Sequence, residues 1–550
     1  MDEVVTCWKT AVDTLLMPAK LPPEQLKLLD LHLPLPAWLS PIRKGLLEAV
    51  NGICTEFATS VKHAQSTLLS PSDFGKPSGW GKGQDDVTRI MCLRPTSKNS
   101  VPVCALHDVF RQFIIDATSS LPEDCSTTVD AVKSAQMLCS MMGEHFKDEA
   151  ARTNQFDTGV ESLFERQRWS HKYQFNASSD LRYGEVDCVF LADGSILIIL
   201  CEDKWEPRQG VSDVYMQPAR DYDLAVKVLE QNERHDPRWT SFLAQGSPMF
   251  LVSVLGAQLS VLGGFYDGKH VIVEPLQDTY YMLHDSRGIR QDRLAKVLYA
   301  LAKGRSTLER LNLNEMPPTF PSSTPRIYES VTLYAKSGAS TPGKLVFEDR
   351  LLTSSQRWLF HATLLTPSRL RSPTPVVVKL IDGSYSEHVH QLLARHHLAP
   401  TLYGCAHREG APTTYVMEYL GSDWETLSQF SEKKPHGRVA APTAADPIWA
   451  SLNQLLAILE QQQFVHGDLR MNNIMVQVNQ DGKAVIQKGK KKACIKVIDF
   501  DWAGNAGQVR YPQSRNKTLT DITWPGTPGG PINPGHDRRL VESWWSKWKH

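Results

Sequence analysis

Two short stretches near the end of the sequence carry residues whose types and spacing suit phosphoryl transfer. In residues 464–474, Asp468 follows His466 by two positions and Asn473 follows Asp468 by five. A carboxylate can orient an attacking hydroxyl and take its proton, while a nearby amide can hold a magnesium ion against phosphates. Asp499 follows an apolar run that predicts a strand end, where a carboxylate can bridge magnesium to phosphate oxygens. The two motifs together predict an ATP- and magnesium-dependent phosphotransferase site.

Residues upstream of these motifs predict the rest of that site. Lys379 lies within an apolar strand pattern, so its ammonium can meet the α- and β-phosphates of a nucleotide. Glu387 begins a helical pattern and is the expected partner of Lys379, with His388 as the alternative. Glu418 and Tyr419 follow in the order of a hinge that offers backbone groups to adenine. Residues 352–356 predict a turn over the phosphates. The predicted catalytic residues are Asp468, Lys379 and Glu387, the nucleotide-binding residues are Lys379, Glu418 and Tyr419, and the metal ligands are Asn473 and Asp499.

This arrangement resembles the protein-kinase-like superfamily, in which a catalytic Asp is followed five residues later by Asn and a metal loop begins Asp-Phe. Gly467 stands where protein kinases have Arg, and Asp501 stands where they have Gly. His-Gly-Asp and Asp-Phe-Asp are more similar to aminoglycoside and choline kinases and to a divergent group of fungal kinase-like proteins. The resemblance implies phosphoryl transfer with ATP and magnesium, with protein Ser/Thr as the first candidate acceptor and other acceptors open.

An apolar hairpin further upstream carries a second set of chemical groups. Residues 181–201 predict two strands joined by a tight turn. Antiparallel pairing would bring Asp187 near the end of the second strand, where Glu202 and Lys204 point to the same face. Two carboxylates can hold magnesium on a scissile phosphate while a lysine stabilises charge. The hairpin therefore predicts a candidate site for phosphodiester cleavage.

The hairpin resembles the PD-(D/E)xK restriction-endonuclease-like superfamily, which has an acid on one strand and Glu-x-Lys on the next. Gln217 resembles the helix glutamine of one branch of that superfamily. The resemblance implies DNA cleavage with Asp187, Glu202, Lys204 and Gln217 as catalytic residues, of which Asp187 and Glu202 would bind the metal. Such short motifs are also common on solvated sheet edges, so a site that binds DNA without cleaving it remains open.

The whole sequence is too long for one core and predicts a multidomain α+β protein. Its 60 basic and 60 acidic residues exclude an overall field that would attract nucleic acid or membranes. It has no apolar run of about 18 residues, which a membrane helix would need. The predicted parts are a mostly helical N-terminal region of unknown role at 1–150, a restriction-endonuclease-like α/β domain at 151–310, a Pro/Ser-rich linker at 311–329 and a two-lobed protein-kinase-like domain at 330–550.

The order of these parts resembles Crinkler-type effector or toxin proteins of fungi, which implies action on DNA or on signalling. The acidic start of the chain lacks the features of a secretory signal. An intracellular location, in cytoplasm or nucleus, is therefore expected, with secretion as an effector left open. Three functions remain as hypotheses: an active kinase, a nuclease regulated by the kinase-like part, and a pseudoenzyme that binds nucleotide and a partner. ATP, a protein substrate and DNA are the candidate partners, and no membrane partner is expected.

Overall fold

The helices and strands described in the structure, a computed structural model, lie between Ile90 and Trp548, within the unit Pro71–His550. Most of the predicted N-terminal helical region, up to residue 88, lies outside the described residues, as does the predicted turn at 352–356. The described residues are 76, 89–94, 99–123, 125–164, 169–178, 181–204, 213, 215–232, 236–334, 341–351, 357–366, 373–432, 446–514 and 522–548.

The described chain up to residue 310 combines a mixed sheet with helices that flank it. The strands are β1 (Ile90–Met91), β2 (Trp169–Ser178), β3 (Leu181–Ala192), β4 (Ile196–Lys204), β5 (Met249–Leu255), β6 (Gln258–Tyr266), β7 (Val271–Pro275) and β8 (Tyr280–Tyr281). The helices are α1 (Val103–Leu106), α2 (Asp108–Thr118), α3 (Ser126–Met141), α4 (Glu149–Phe164), α5 (Met216–Asn232), α6 (Pro237–Ala244) and α7 (Ile289–Glu309).

The strand order in this sheet is β1-β7-β6-β5-β4-β3-β2, and β8 pairs with β6. The predicted hairpin is present as β3 and β4, with Cys188 opposite Cys201. Asp193 and Gly194 have φ values of 47° and 70°, as a tight hairpin turn requires. The hairpin prediction is confirmed at this level, and β4 also runs parallel to β5 in the interior of the sheet.

The sheet includes chain from before residue 151. Strand β1 pairs in parallel with β7, with Ile90 opposite Val271. Helices α2 and α3 pack against α7, which covers the sheet. The described part of the predicted N-terminal region therefore packs with the sheet that the sequence assigns to residues 151–310.

The described chain after residue 329 forms a closed barrel followed by a mainly helical part. Its strands are β9 (Ser330–Leu333), β10 (Thr341–Arg350), β11 (Trp358–Leu365), β12 (Thr374–Ile381), β13 (Leu402–Ala406), β14 (Thr413–Glu418), β15 (Trp424–Thr426), β16 (Phe464–Val465), β17 (Ile474–Gln477), β18 (Ile495–Val497) and β19 (Gly504–Asn505). Its helices are α8 (Glu387–Arg395), α9 (Leu427–Glu432), α10 (Pro447–Gln461) and α11 (His536–Trp548).

The barrel closes in the order β10-β11-β12-β14-β13-β9. Helix α10 begins at Pro447, because Asp446 accepts a hydrogen bond from Ile448 N and proline suits the first turn of a helix. Apolar residues of α10, such as Leu455, pack with Val497 of β18 and Trp544 of α11 in one buried cluster. This cluster includes Leu469 and Phe500 and so supports the loop of Asp468, here called the catalytic loop, and the loop of Asp499, here called the metal loop.

The predicted linker has no helix or strand between Asn312 and Glu329, and its last part is anchored by buried residues. Ser323 N donates to Asp267 Oδ2 at 2.9 Å on the sheet side. Tyr328 is fully buried, and its hydroxyl donates to the carbonyl of Pro412 on the barrel side. The segment therefore joins the two sheets through specific contacts. Within the described ranges, no helix combines the length and the apolar character needed to cross a membrane.

Candidate active site

The catalytic loop holds Asp468 next to Asn473. Asp468 follows β16, and Asn473 lies on a single helical turn that leads into β17. Asn473 Nδ2 donates to Asp468 Oδ2 at 2.8 Å and to the Asp468 carbonyl at 3.0 Å. The Arg470 guanidinium donates to the same carboxylate at 2.5 and 2.7 Å. The spacing of five residues thus brings the Asp468 carboxylate and the Asn473 amide into contact. Arg470, which no sequence motif predicts for this site, also binds the carboxylate.

A buried carboxylate at the start of α11 supports this loop. Asp537 accepts hydrogen bonds from His466 N at 2.6 Å and from Gly467 N at 2.8 Å. Burial raises the pKa of Asp537 above its usual value. Gly467 has a φ of 80°, and a Cβ there would lie 2.7 Å from Ile532 Cδ1. The position that carries Arg in protein kinases therefore requires glycine here.

The metal loop lies directly beside the catalytic loop. Ile498 N donates to the Asn473 carbonyl at 3.0 Å, and His466 Nε2 lies 3.2 Å from the Ile498 carbonyl oxygen. Asp499 comes next and has a φ of 75°, which is rare for a residue other than glycine. A strained backbone of this kind is common where the surrounding structure must aim a functional group.

Two cations bind the Asp499 carboxylate. Lys379 Nζ lies 2.6 Å from Oδ1, and Arg357 Nη2 lies 2.7 Å from Oδ2. Burial by itself would raise the pKa of Asp499, but these two cations outweigh it and hold the pKa at about 2. Asp499 is therefore ionised at neutral pH.

Lys379 has a second carboxylate partner, which the sequence reasoning did not predict. Its Nζ lies 2.5 Å from Asp501 Oδ1, and Lys379 itself is buried. Burial raises the pKa of Asp501 to about 6, despite the opposing effect of Lys379. Asp501 occupies the position that is Gly in protein kinases, so this second acidic contact exists because of that replacement.

The predicted ion pair between Lys379 and Glu387 is wrong in this structure. Glu387 begins α8 as expected, but its carboxylate accepts a hydrogen bond from the Tyr334 hydroxyl. Its other oxygen lies 3.7 Å from His407 Nε2. The two aspartates of the metal loop approach Lys379 from the helical part, so its ammonium is directed toward them.

A cavity of about 230 Å³ lies between the barrel and the helical part, with Lys379 and Asp499 on its wall. The predicted hinge residues Glu418 and Tyr419 also line it. Glu418 N donates to the Thr401 carbonyl at 2.9 Å, so this amide is bonded within the barrel rather than offered to an adenine. Its carboxylate pairs with Lys496 at 2.7 Å. Apolar walls that would suit a purine come from Leu351, Leu359, Val377, Met417, Leu420, Met475 and Ile498.

The residues predicted for the second site also come together, at the end of β4. Lys204 Nζ contacts the Glu202 carboxylate and lies 3.5 Å from Asp187 Oδ2. Gln217 Nε2, on α5, donates to Glu202 Oε1. Lys172 Nζ is 2.8 Å from Asp187 Oδ1 and adds a second cation on the outer side.

A further buried acid lies next to this second site. Asp221 is fully buried, and neither carboxylate oxygen has a hydrogen-bond partner among the described residues. Burial and the nearby Glu202 and Asp187 carboxylates raise the pKa of Asp221 well above its usual value. The pKa of Glu202 is also raised, to about 8, first by burial and then by Asp187. Asp221 follows Gln217 by four residues on a helix, a spacing that places both on one face and could have identified it.

Comparison with known proteins bears on the C-terminal part of the chain. The model of the phosphotransferase enzyme family (APH) matches residues 318–486. Among solved structures, the kinase PK-1 of Cydia pomonella granulovirus is 14% identical and matches with a TM-score of 0.27, covering 37% of this chain and 69% of that one. None of the curated proteins matches this chain.

The match to the family model, and not the structural match with its low TM-score, supports a kinase-like phosphotransferase domain in this part of the chain. It includes Lys379, Asp468 and Asn473 and ends before Asp499, while residues 151–310 lie outside it. The part of the chain that carries the barrel and the catalytic loop is therefore a kinase-like phosphotransferase domain.

Proposed function

We propose that this domain transfers the γ-phosphoryl group of ATP to a hydroxyl group, with magnesium and with protein Ser or Thr as the first candidate acceptor. One observation supports this proposal most directly. The loop of Asp468 and Asn473 is bonded side by side with the loop of Asp499, and Asp499 is paired with Lys379 at the wall of the cavity. These four residues come from three separate stretches of sequence, and their meeting is what phosphoryl transfer requires.

Each residue has a distinct role in this proposal. Asp468 accepts the proton of the attacking hydroxyl. The hydroxyl oxygen forms a bond to the γ-phosphorus while the bond between the γ-phosphorus and the β-phosphate oxygen breaks, which releases ADP. Arg470 and Asn473 fix the position of the Asp468 carboxylate. Lys379, positioned on β12, binds the α- and β-phosphate oxygens.

The residues present fit a magnesium ion. Asn473 Nδ2 is used as a donor to Asp468, which leaves Oδ1 as an acceptor or ligand. The ionised carboxylate of Asp499 supplies further oxygen, and magnesium prefers oxygen ligands. Bound there, the ion would neutralise charge on the phosphates.

The test is phosphate transfer from γ-labelled ATP by the purified chain, with Asp468→Asn beside it. Asparagine keeps the size of the side chain and one acceptor for Arg470 but cannot take a proton. We expect transfer to fall by about 10²- to 10⁴-fold while ATP binding is retained. Asp481→Asn makes the same chemical change on an exposed turn and should transfer normally.

The acceptors should include generic proteins and small hydroxyl compounds such as aminoglycosides and choline. Unchanged transfer by Asp468→Asn would refute the role of Asp468 as base. ATP binding without transfer to any acceptor by the unmutated chain would refute the kinase proposal and favour a nucleotide-binding regulator.

A second candidate function is magnesium-dependent DNA cleavage by residues 151–310. It is supported by the convergence of Asp187, Glu202, Lys204 and Gln217 at the end of β4. The donor set offers carboxylate oxygens for magnesium and a lysine to stabilise charge. Because the pKa of Glu202 is about 8, metal binding there must release a proton at neutral pH.

Nicking of supercoiled plasmid in the presence of magnesium tests this second function. Lys204→Ala should abolish cleavage, whereas Lys303→Ala, an exposed lysine on α7, should not. Equal cleavage by Lys204→Ala and the unmutated chain would show that another site or a contaminant is responsible.

A further inference from the structure

Three potential metal ligands meet on the barrel, outside the residues assigned to phosphate transfer. They are the carboxylate of Glu387, the thiol of Cys405 and the imidazole of His407, with ligand atoms all within 4.8 Å of one another. Cys405 lies on β13 and His407 follows two residues later, so both side chains point to the same side. Glu387 reaches them from the first turn of α8.

The distances between these atoms are close to those around a tetrahedral zinc ion. Cys405 Sγ lies 3.5 Å from His407 Nε2, which in turn lies 3.7 Å from Glu387 Oε1. Zinc bonds of about 2.3 Å to sulfur and about 2.1 Å to nitrogen or oxygen, at tetrahedral angles, would separate the ligand atoms by roughly 3.4–3.6 Å. The two distances to His407 therefore differ from tetrahedral values by no more than a few tenths of an ångström, and the Cys405 and Glu387 ligand atoms lie within 4.8 Å of each other.

The second nitrogen of the histidine is already oriented. His407 Nδ1 lies 3.2 Å from Thr413 Oγ1. When Nδ1 donates its proton to that hydroxyl, the lone pair lies on Nε2, which faces Cys405 and Glu387. Metal-binding histidines are commonly oriented by such a bond on their other nitrogen.

Access and ligand type point to the same class of ion. The Cys405 side chain is buried, whereas 64% of the His407 side chain is exposed, so the cluster is open on one side. One thiolate, one imidazole and one carboxylate form a donor set typical of zinc rather than of magnesium or calcium. Solvent can supply a fourth ligand from the open side.

We propose that Glu387, Cys405 and His407 form a binding site for a zinc-class divalent cation. Such an ion would link the first residue of α8 to the end of β13. It would also hold Glu387 away from Lys379, which in this structure pairs with Asp499 and Asp501. The site is thus separate from the magnesium ligands of the proposed transfer reaction, and its existence does not depend on that reaction.

Metal binding to the full chain tests the proposal, with zinc for stoichiometry and cobalt as a spectroscopic probe. The unmutated chain should bind one more zinc ion than Cys405→Ser, and its cobalt form should show thiolate-to-metal charge-transfer absorption that Cys405→Ser lacks. Zinc should also raise the melting temperature of the unmutated chain more than that of the variant, because a ligand that binds the native state stabilises it.

His407→Ala is a second variant, chosen because the exposed side chain can be removed without disturbing the barrel core. It should lose the same zinc ion. Cys494→Ser and His284→Ala change the same residue types away from the cluster and should retain it. Equal zinc content in the unmutated chain, Cys405→Ser and His407→Ala, or thiolate absorption that persists in Cys405→Ser, would overturn the proposal.

Discussion

At the scale of single residues, the charged neighbours of a buried carboxylate decide whether it is ionised. Asp499 is surrounded by two cations within 2.7 Å, and its pKa falls to about 2. Glu202 is more deeply buried, and burial together with the neighbouring Asp187, which shares Lys204 with it, raises its pKa to about 8. The phosphotransferase domain therefore presents an ionised carboxylate at the proposed magnesium position at neutral pH, whereas Glu202 of the second site retains a proton.

The raised pKa of Glu202 predicts a specific dependence of stability on pH. The folded chain binds this proton up to about pH 8, whereas the unfolded chain releases it near pH 4.5. The stabilising contribution of the protonated group is therefore complete below about pH 4.5 and is lost as the pH rises toward 8. We expect the free energy of unfolding, measured with urea, to fall less between pH 4.5 and pH 8 for Glu202→Gln than for the unmutated chain.

The control for this prediction is Glu161→Gln, a change of the same type at an exposed position on α4. It should retain the pH dependence of the unmutated chain. Parallel stability curves for Glu202→Gln and the unmutated chain between pH 4.5 and pH 8 would show that Glu202 is not protonated in the folded state.

At the scale of elements, closure of the barrel depends on one close approach between strands. Gly404 of β13 pairs with Leu333 of β9, next to an irregularity in the pairing of β13 with β14. A Cβ at Gly404 would lie 2.2 Å from the Thr332 carbonyl oxygen and 2.9 Å from Leu333 Cα. Because these are backbone atoms, the strands themselves would have to separate.

We predict that Gly404→Ala destabilises the barrel by about 1–3 kcal/mol, the usual cost of overpacking, and measurably lowers the melting temperature. The matched control is Gly143→Ala, where a Cβ would meet only Leu283 Cδ2, at 3.4 Å. Chemical denaturation measures both. A Gly404→Ala variant as stable as the Gly143→Ala variant would show that β9 and β13 do not approach so closely.

At the scale of the whole molecule, hydrogen bonds join the barrel to the part of the chain before residue 310 that contains the mixed sheet, here called the sheet half. They run from side chains of the barrel to backbone carbonyls of the sheet half. Arg350 Nη1 donates to the Asn99 carbonyl at 2.9 Å, and Trp358 Nε1 donates to the Ser100 carbonyl at 2.8 Å. Arg350 and Trp358 lie at the facing ends of β10 and β11, and the adjacent residues Leu351 and Leu359 line the cavity. The sheet half therefore contributes to the position of the strands next to the proposed nucleotide site.

These bonds predict that the two halves unfold together. In the double variant Arg350→Ala and Trp358→Phe, the loss of both donors should lower stability by about 1–3 kcal/mol in total. Scanning calorimetry should then resolve two transitions where the unmutated chain shows one. Arg510→Ala removes an arginine–carbonyl bond to Gly529 within the helical part and should leave a single transition. A single transition in the double variant would mean that other contacts couple the halves.

Local sequence alone determined the parts of each site that lie close together along the chain. Asp468 and Asn473 meet because five residues separate them within one loop. Asp187 and Glu202 meet because a tight turn joins their strands and sets the register. The support of the catalytic loop by Asp537, by contrast, joins residues 71 positions apart at His466. No local rule of the sequence required that contact.

Only the tertiary structure decided the partners of long side chains that cross between elements. Lys379 is separated from Asp499 by 120 residues, and its choice of the two aspartates over Glu387 depends on how the barrel packs against the helical part. Arg357 reaches Asp499 in the same way. A flexible cation selects among carboxylates by distance and burial in the folded chain, and sequence spacing carries neither quantity. The groups within one loop or hairpin could therefore be predicted, whereas the ion pairs between elements required the fold.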